Sequence, residues 1–204
     1  MTEEDPDEEG VSGWMRSYPP PDISPAEFES FVVELYEAVR PQVYHLRIAL
    51  RERIQGMDGS YVFDATVRHQ FAGADYLTIV EAKMHKNPIK RQLVQTLHSK
   101  ALSVGAHKAV MISTAPYQKG ALGFAKAHGI ALVSLTEGRF TYKTKSVEPS
   151  PHLTRQQAAE RFGLPTFVGF SYGPGKSPGS TTSTLISTEH PEYIHELLLP
   201  RANR

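Results

Sequence analysis

The sequence predicts an α/β sandwich built on a mixed sheet, and three observations point there. A helix with clear capping signals opens the ordered part of the chain. Three strand-like segments then follow one another with no helix between them. After that the chain alternates helix, strand, helix, strand, giving the order α–β–β–β–α–β–α–β.

Ser24 is a good N-cap, with Pro25 at the first helical position and Glu27 three residues on. Phe28, Phe31, Val32, Leu35 and Val39 recur at helical spacing, so 25–39 reads as an amphipathic helix that Pro41 ends. The segment from Val43 to Ile54 is rich in Arg but alternates Leu46, Ile48 and Leu50, and reads as a first strand. Gly56-Met57-Asp58-Gly59 is a turn. Tyr61–Val67 and Leu77–Lys83 are the next two strands, separated by the loop Phe71-Ala72-Gly73-Ala74.

Pro88 opens a second helix whose stripe is Ile89, Leu93, Leu97 and Ala101, with Gly105 as C-cap. Ala109–Ser113 reads as a buried strand, Gln118–His128 as a third helix closed by Gly129, Ile130–Leu135 as a strand, and Phe140–Tyr142 as a short edge strand. The helices at 88–104 and 117–128 serve as crossovers between parallel strands. These elements define a core domain over 23–145. Residues 1–22 are acidic and Pro-rich, and read as a disordered arm. Residues 146–204 read as a C-terminal extension, with a short helix over 154–162, a Gly/Ser/Pro-rich flexible arm over 169–183 and a small helix over 191–199.

The chain has 204 residues and no Cys, which excludes disulfides, thiolate zinc sites and Cys nucleophiles. The acidic N-terminus has no apolar h-region and no apolar run approaches the roughly 18 residues that span a bilayer. A cytoplasmic location and no membrane partner are the expectations. Net charge is zero, but it is unevenly spread. Between Glu81 and Glu137 no acidic residue occurs, while Lys83, Lys86, Lys90, Arg91, Lys100, Lys108, Lys119 and Lys126 all fall in that interval. Such an asymmetry is the footprint of a basic face beside an acidic site, and suits a polyanion partner.

Two strands carry charge where burial would be costly. Asp64 interrupts Tyr61–Val67, and Glu81 and Lys83 close Leu77–Lys83. Glu81 and Lys83 are two apart on one strand and so share a face. If the two strands pair, Asp64 joins them. Two carboxylates and an ammonium then converge, an arrangement that can hold a divalent cation and activate water against a phosphodiester.

With Asp64, Glu81-Ala82-Lys83, the basic helix after them, the buried strand Ala109–Thr114 and the small-residue helix bearing Gly120, Ala121 and Ala125, the chain resembles the PD-(D/E)xK nuclease superfamily, specifically Mrr-like restriction endonuclease domains. The resemblance covers roughly residues 25–142. It implies a restriction-endonuclease-like three-layer α/β/α sandwich with a mixed central sheet. It also implies a Mg²⁺-dependent DNA endonuclease, with Mn²⁺ able to substitute, acting in restriction or defence against foreign DNA. Asp64 and Glu81 then resemble the metal-binding carboxylates, with the Ala82 carbonyl as a third ligand. Lys83 resembles the residue that orients the attacking water. Glu29 resembles an accessory acid on the first helix, and Gln95 lies where a polar residue often joins the site. Asp58 is a rival for the first carboxylate. The exposed side of the basic helix (Lys86, Lys90, Arg91) is expected to meet DNA phosphates. Double-strand cutting by one site per chain would call for a homodimer.

Each reading has a plainer counterpart. Asp64, Glu81 and Lys83 could form a structural ion-pair cluster, leaving a catalytically silent nucleic-acid-binding module. A third reading is a partner-binding module within a larger defence complex. His45 and His69 have no partner at metal-ligand spacing and read as ordinary polar residues. Ser113-Thr114 lacks a nucleophile-elbow context and reads as a strand end. Gly173-Pro174-Gly175-Lys176-Ser177 lacks phosphate-loop spacing.

Overall fold

The computed structural model describes residues 21–138, 154–175, 177 and 180–199. The acidic arm over 1–20, with Trp14 and Tyr18, and the strand expected over 140–142 lie outside the described residues.

Helix α1 spans Pro25–Glu37 and starts on a full capping box: the Ser24 hydroxyl accepts from the Glu27 amide while the Glu27 carboxylate accepts from the Ser24 amide. Pro41 does not simply stop it; it lies in a short 3-10 turn over Arg40–Gln42. Strands β1 (Tyr44–Gln55), β2 (Ser60–Phe71) and β3 (Ala74–Lys83) form an antiparallel meander. Helix α2 (Arg91–Ser103) leads to β4 (Lys108–Ser113), and α3 (Lys119–Ala127) to β5 (Ala131–Glu137). Strands β3, β4 and β5 are parallel neighbours, as helical crossovers require. Helix α2 begins at Arg91 rather than at Pro88, because Ile89 forms an isolated parallel bridge with Tyr117.

The largest departure from expectation concerns the segment read as a flexible arm. After α4 (Arg155–Phe162) the chain forms β6 (Phe167–Pro174) and β7 (Thr181–Ile186), an antiparallel hairpin that extends the sheet beyond β5. The sheet therefore has seven strands in sequential order, β1 to β7. Its glycine serves packing rather than looseness. A Cβ on Gly169 would lie 2.6 Å from Val133 and 2.8 Å from Ile186, so only a bare Cα lets the three strands approach.

Helices lie on both faces, as a three-layer α/β/α sandwich requires. One core packs α1 and the C-terminal 3-10 segment Pro191–Leu197 on the sheet through Phe31, Leu35, Val67, Val110, Val133, Ile194 and Leu197. The other packs α2 and α3 through Val94, Leu97, Ala121 and Ala125 against Ile79, Met111 and Leu132. The terminal element expected over 191–199 is thus a 3-10 segment that covers one face. Among the described residues no helix is long and apolar enough to cross a membrane.

Candidate active site

Strand β3 is unequally flanked at its C-terminal end. On one side β4 stays paired with it through Lys83, which lies beside Ser113. On the other side the ladder with β2 ends at Ala65 opposite Val80. Residues 81–83 are therefore paired on one edge only, and a fork opens between β2 and β3. Asp64 stands at this fork. Its carboxylate accepts a 2.7 Å hydrogen bond from the Ala82 amide, supplying the partner that β2's backbone no longer provides.

The fork has a cause further along the hairpin. Ala65 and Val67 pack toward α1, yet Phe63, of the same parity, packs toward α2. On β1, Ile48 packs toward α1 and Ile54 toward α2. The alternation changes face at Arg51, which has φ of 51°, and at Asp64, the position across from it between the Leu50–Ala65 and Glu52–Phe63 pairs. An L-residue at positive φ breaks the pleat and re-aims its neighbours. The hairpin tip curls over the end of α2, where Met57 donates its amide to the Ser103 carbonyl at 3.0 Å.

Glu81 and Lys83 project on the α2 side, as their spacing requires. The Lys83 ammonium is 2.8 Å from Glu81 Oε1, and the Lys100 ammonium is 3.0 Å from both Glu81 oxygens. The Glu81 side chain is only 12% exposed. Burial raises its pKa, but hydrogen bonds from Lys83 and Lys100 and their charges outweigh burial and hold it below the usual carboxylate value. The exit of β3 is fixed by Thr114, whose amide donates to the Lys83 carbonyl and whose hydroxyl bonds both backbone groups of His85. Thr114 is thus a strand-end tie, as its context suggested.

The other expected residues lie elsewhere. Glu29 on α1 pairs with the Arg51 guanidinium. Gln95 is half-buried on the stripe of α2 shared with Arg91 and His98, both of which contact the Phe124 ring of α3. Among the described residues its side chain makes no hydrogen bond. Asp58 accepts from Tyr61 at 2.9 Å and from the Ser103 hydroxyl, and so closes the hairpin tip on α2. Lys86, Lys90 and Arg91 are exposed.

Lys100 is the site neighbour that the sequence reading counted only as part of a basic interval. A signal was present: it lies three residues past Leu97 and seven past Leu93, on the sheet-facing side of α2. A lysine on an apolar stripe needs a buried partner, and Glu81 is that partner.

The donor set suits a hard divalent cation. Asp64, Glu81 and the Ala82 carbonyl are all oxygen donors, and Mg²⁺ commonly uses one or two carboxylates together with waters and substrate phosphate. Among the described residues no group of three or more His, Asp or Glu side chains is disposed around one point, so a cation here would rely on that mixed shell.

No curated protein matches the chain. One solved structure, a protein of unknown function called AF1548, is 16% identical over 52% of this chain and 55% of its own, with a TM-score of 0.41. The chain thus spans about half of that protein. The restriction endonuclease family model of Mrr catalytic domains matches residues 21–137, from the residues leading into α1 to the end of β5. That match covers more than half of the chain and includes Asp64, Glu81 and Lys83, so the chain belongs to the Mrr-type restriction endonuclease family.

Proposed function

We propose that this nuclease-family domain is a divalent-metal-dependent DNA endonuclease whose site is Asp64, Glu81 and Lys83, assisted by Lys100. The observation that carries the reading is the fork itself. Asp64, from a different strand, is bonded to the backbone of the Glu81-Ala82-Lys83 segment at the C-terminal end of β3, where its edge toward β2 is open. In this reading Asp64, Glu81 and the Ala82 carbonyl would hold Mg²⁺, or Mn²⁺ in its place. The cation would polarise a phosphate oxygen and acidify a bound water.

The protein's own groups do the rest. Glu81 remains ionised at neutral pH because two ammonium groups face it. Lys83 aims a donor at the attacking water and at charge developing on the phosphoryl oxygens. Lys100 holds Glu81 in place from α2, leaving Lys83 free to turn toward substrate. Exposed Lys86, Lys90 and Arg91 neutralise neighbouring phosphates, which predicts binding that weakens steeply with salt. Gln95 and Glu29 are accessory candidates only: Glu29 must leave Arg51 to take part. Restriction of foreign DNA in the cytoplasm, as a homodimer where both strands are cut, is the biological setting proposed.

One observation favours a second reading. Asp64, Glu81, Lys83 and Lys100 sum to no net charge, so the cluster can persist without a metal, as a silent DNA-binding module would need. Plasmid cleavage in Mg²⁺ or Mn²⁺ separates the two. Wild type is expected to cut, and Asp64→Ala and Lys83→Ala to lose about 10²-fold or more of the rate. Equal cutting by all three removes the site assignment; salt-sensitive binding without cutting by any of them selects the silent module.

A further inference from the structure

Four exposed cations stand at one end of the molecule without counter-ions. Lys86, Lys90 and Arg91 lie where the chain passes from β3 into α2, and Lys119 opens α3. None of the four makes an ion pair among the described residues. No acidic residue between Glu81 and Glu137 is there to neutralise them locally.

The fold gathers these cations. Ile89 and Tyr117 form a parallel bridge, with the Ile89 amide donating to the Pro116 carbonyl at 2.8 Å and the Gln118 amide to the Ile89 carbonyl at 3.0 Å. The segments that follow β3 and β4 are thereby tied side by side. Lys90 and Lys119 come to the end of the sheet that carries Glu81 and Lys83. Like charges held together in this way repel one another and attract a polyanion.

The chain carries a polyanion of its own. Residues 1–20 contain Glu3, Glu4, Asp5, Asp7, Glu8 and Glu9 against a single base, Arg16. The zero net charge is therefore a balance between a segment at −5 and a remainder at +5.

That segment joins the fold beside the basic face. The Asp22 amide donates to Glu137 Oε1 at 3.3 Å, the Asp22 carbonyl accepts from the Arg155 guanidinium, and Ile23 is buried. Glu137 ends β5. Ser134 of β5 is level with Ser113 of β4, which is level with Lys83 of β3. Glu137 thus lies two strands across and three residues along from Lys83, about 14 Å away. Glu9 precedes Asp22 by 13 residues, a length of chain that spans up to roughly 40 Å. All six carboxylates are within reach of the four cations.

We propose that the acidic residues 3–9 dock on the face formed by Lys86, Lys90, Arg91 and Lys119. The docking follows from charge and reach; that the competitor displaced from this face is DNA rests on the nuclease reading above. The carboxylates occupy the cations that would neutralise phosphates, so the domain is held back until a longer polyanion displaces them.

Trp14 is the chain's one tryptophan and lies in sequence between these carboxylates and the fold, so it reports on the segment without a label. Two quantities are read on the full chain without metal ions, so that no cleavage intervenes: Trp14 anisotropy as salt is raised, and affinity for a fluorescein-labelled duplex. Wild type is compared with a neutralised chain (Glu3→Gln, Glu4→Gln, Asp5→Asn, Asp7→Asn, Glu8→Gln and Glu9→Gln together) and with a Lys86→Ala, Lys90→Ala, Lys119→Ala chain. All nine positions are exposed or outside the folded unit's core, and melting curves check that the three chains fold alike. Trp14 anisotropy is expected to be high in wild type at low salt, to fall as salt screens the contact, and to be low throughout in both variants. The neutralised chain is expected to bind the duplex about tenfold or more tightly than wild type at low salt, the gap closing as salt rises. Trp14 anisotropy alike in all three chains, or measurable duplex binding of equal strength in wild type and the neutralised chain, overturns the proposal. A salt-sensitive Trp14 signal with no duplex binding by any chain supports the docking and overturns the DNA reading instead.

Discussion

Glu81 has two ammonium partners, and each constrains a different property. Lys83 shares its strand face, whereas Lys100 reaches it from α2 and touches both carboxylate oxygens. Loss of Lys100 should therefore loosen Glu81 without removing Lys83, the group proposed to meet the water. Lys100→Ala is expected to lower the cleavage rate about 10-fold, against about 10²-fold or more for Lys83→Ala, in single-turnover assays. Acid stability should follow. The folded Glu81 carboxyl titrates below its ordinary value of 4.5. Its contribution to stability is complete above that pH and is lost as pH falls through the lowered folded value. Lys100→Ala removes one of the lowering partners, so less stability depends on the ionised carboxylate and the loss on acidification should be smaller than in wild type, visible in melting curves between about pH 3 and pH 7. At this scale Asp64, Glu81 and Lys83 were legible in the sequence because charge inside an apolar strand is conspicuous. Lys100 was not, because a lysine on a helix rich in polar residues resembles a solvated face.

At the scale of elements, the β1–β2 hairpin and α2 act as one unit. The hairpin tip is bonded to Ser103 through the Met57 amide and the Asp58 carboxylate. Ser103 is three residues beyond Lys100, so the tip fixes the end of the helix that delivers Lys100 to Glu81. Gly56 makes this approach feasible: a Cβ there would overlap the Ser103 hydroxyl and lie 3.1 Å from its carbonyl carbon and oxygen. Gly56→Ala is expected to destabilise the fold by about 1–3 kcal/mol and to lower cleavage more than Lys100→Ala does only if α2 shifts as a whole; denaturant melts with parallel rate measurements read both. The capping box of α1 and the turn at 56–59 were plain in the sequence, since both depend on local residue types. Strands β6 and β7 were hidden for tertiary reasons. Strand β6 is buried on both faces over Phe167–Val168 and Ser171–Tyr172 and so shows no polar alternation. Strand β7 is a half-exposed run of Thr and Ser that only pairing with β6 makes a strand.

At the scale of the molecule, the family match and the folded unit do not end together. The match stops at Glu137, the last residue of β5, yet every residue of β5 is buried. It is buried because β6 lies beside it, with Ser134 and Tyr172 hydroxyls 2.9 Å apart and Glu137 bonded to Arg155 of α4 at 3.0 Å. The opposite face of the sheet depends on the C-terminal segment as well, since Ile194, Leu197 and Leu198 complete the core over α1. A chain ending at residue 138 would keep Asp64, Glu81, Lys83 and Lys100 but turn β5 into a bare, apolar edge, the kind that aggregates. It would also leave Glu137 without Arg155 and strip one face of its cover. We expect that truncated chain to show no cooperative thermal transition and no metal-dependent cleavage, although it carries all four residues of the proposed site. A cooperative melt with retained cutting would mean that β6, β7 and the C-terminal segment are appended to a self-sufficient nuclease core. The absence of a transition would mean that the hairpin at 167–186 completes the sheet on which the fork at Asp64 depends.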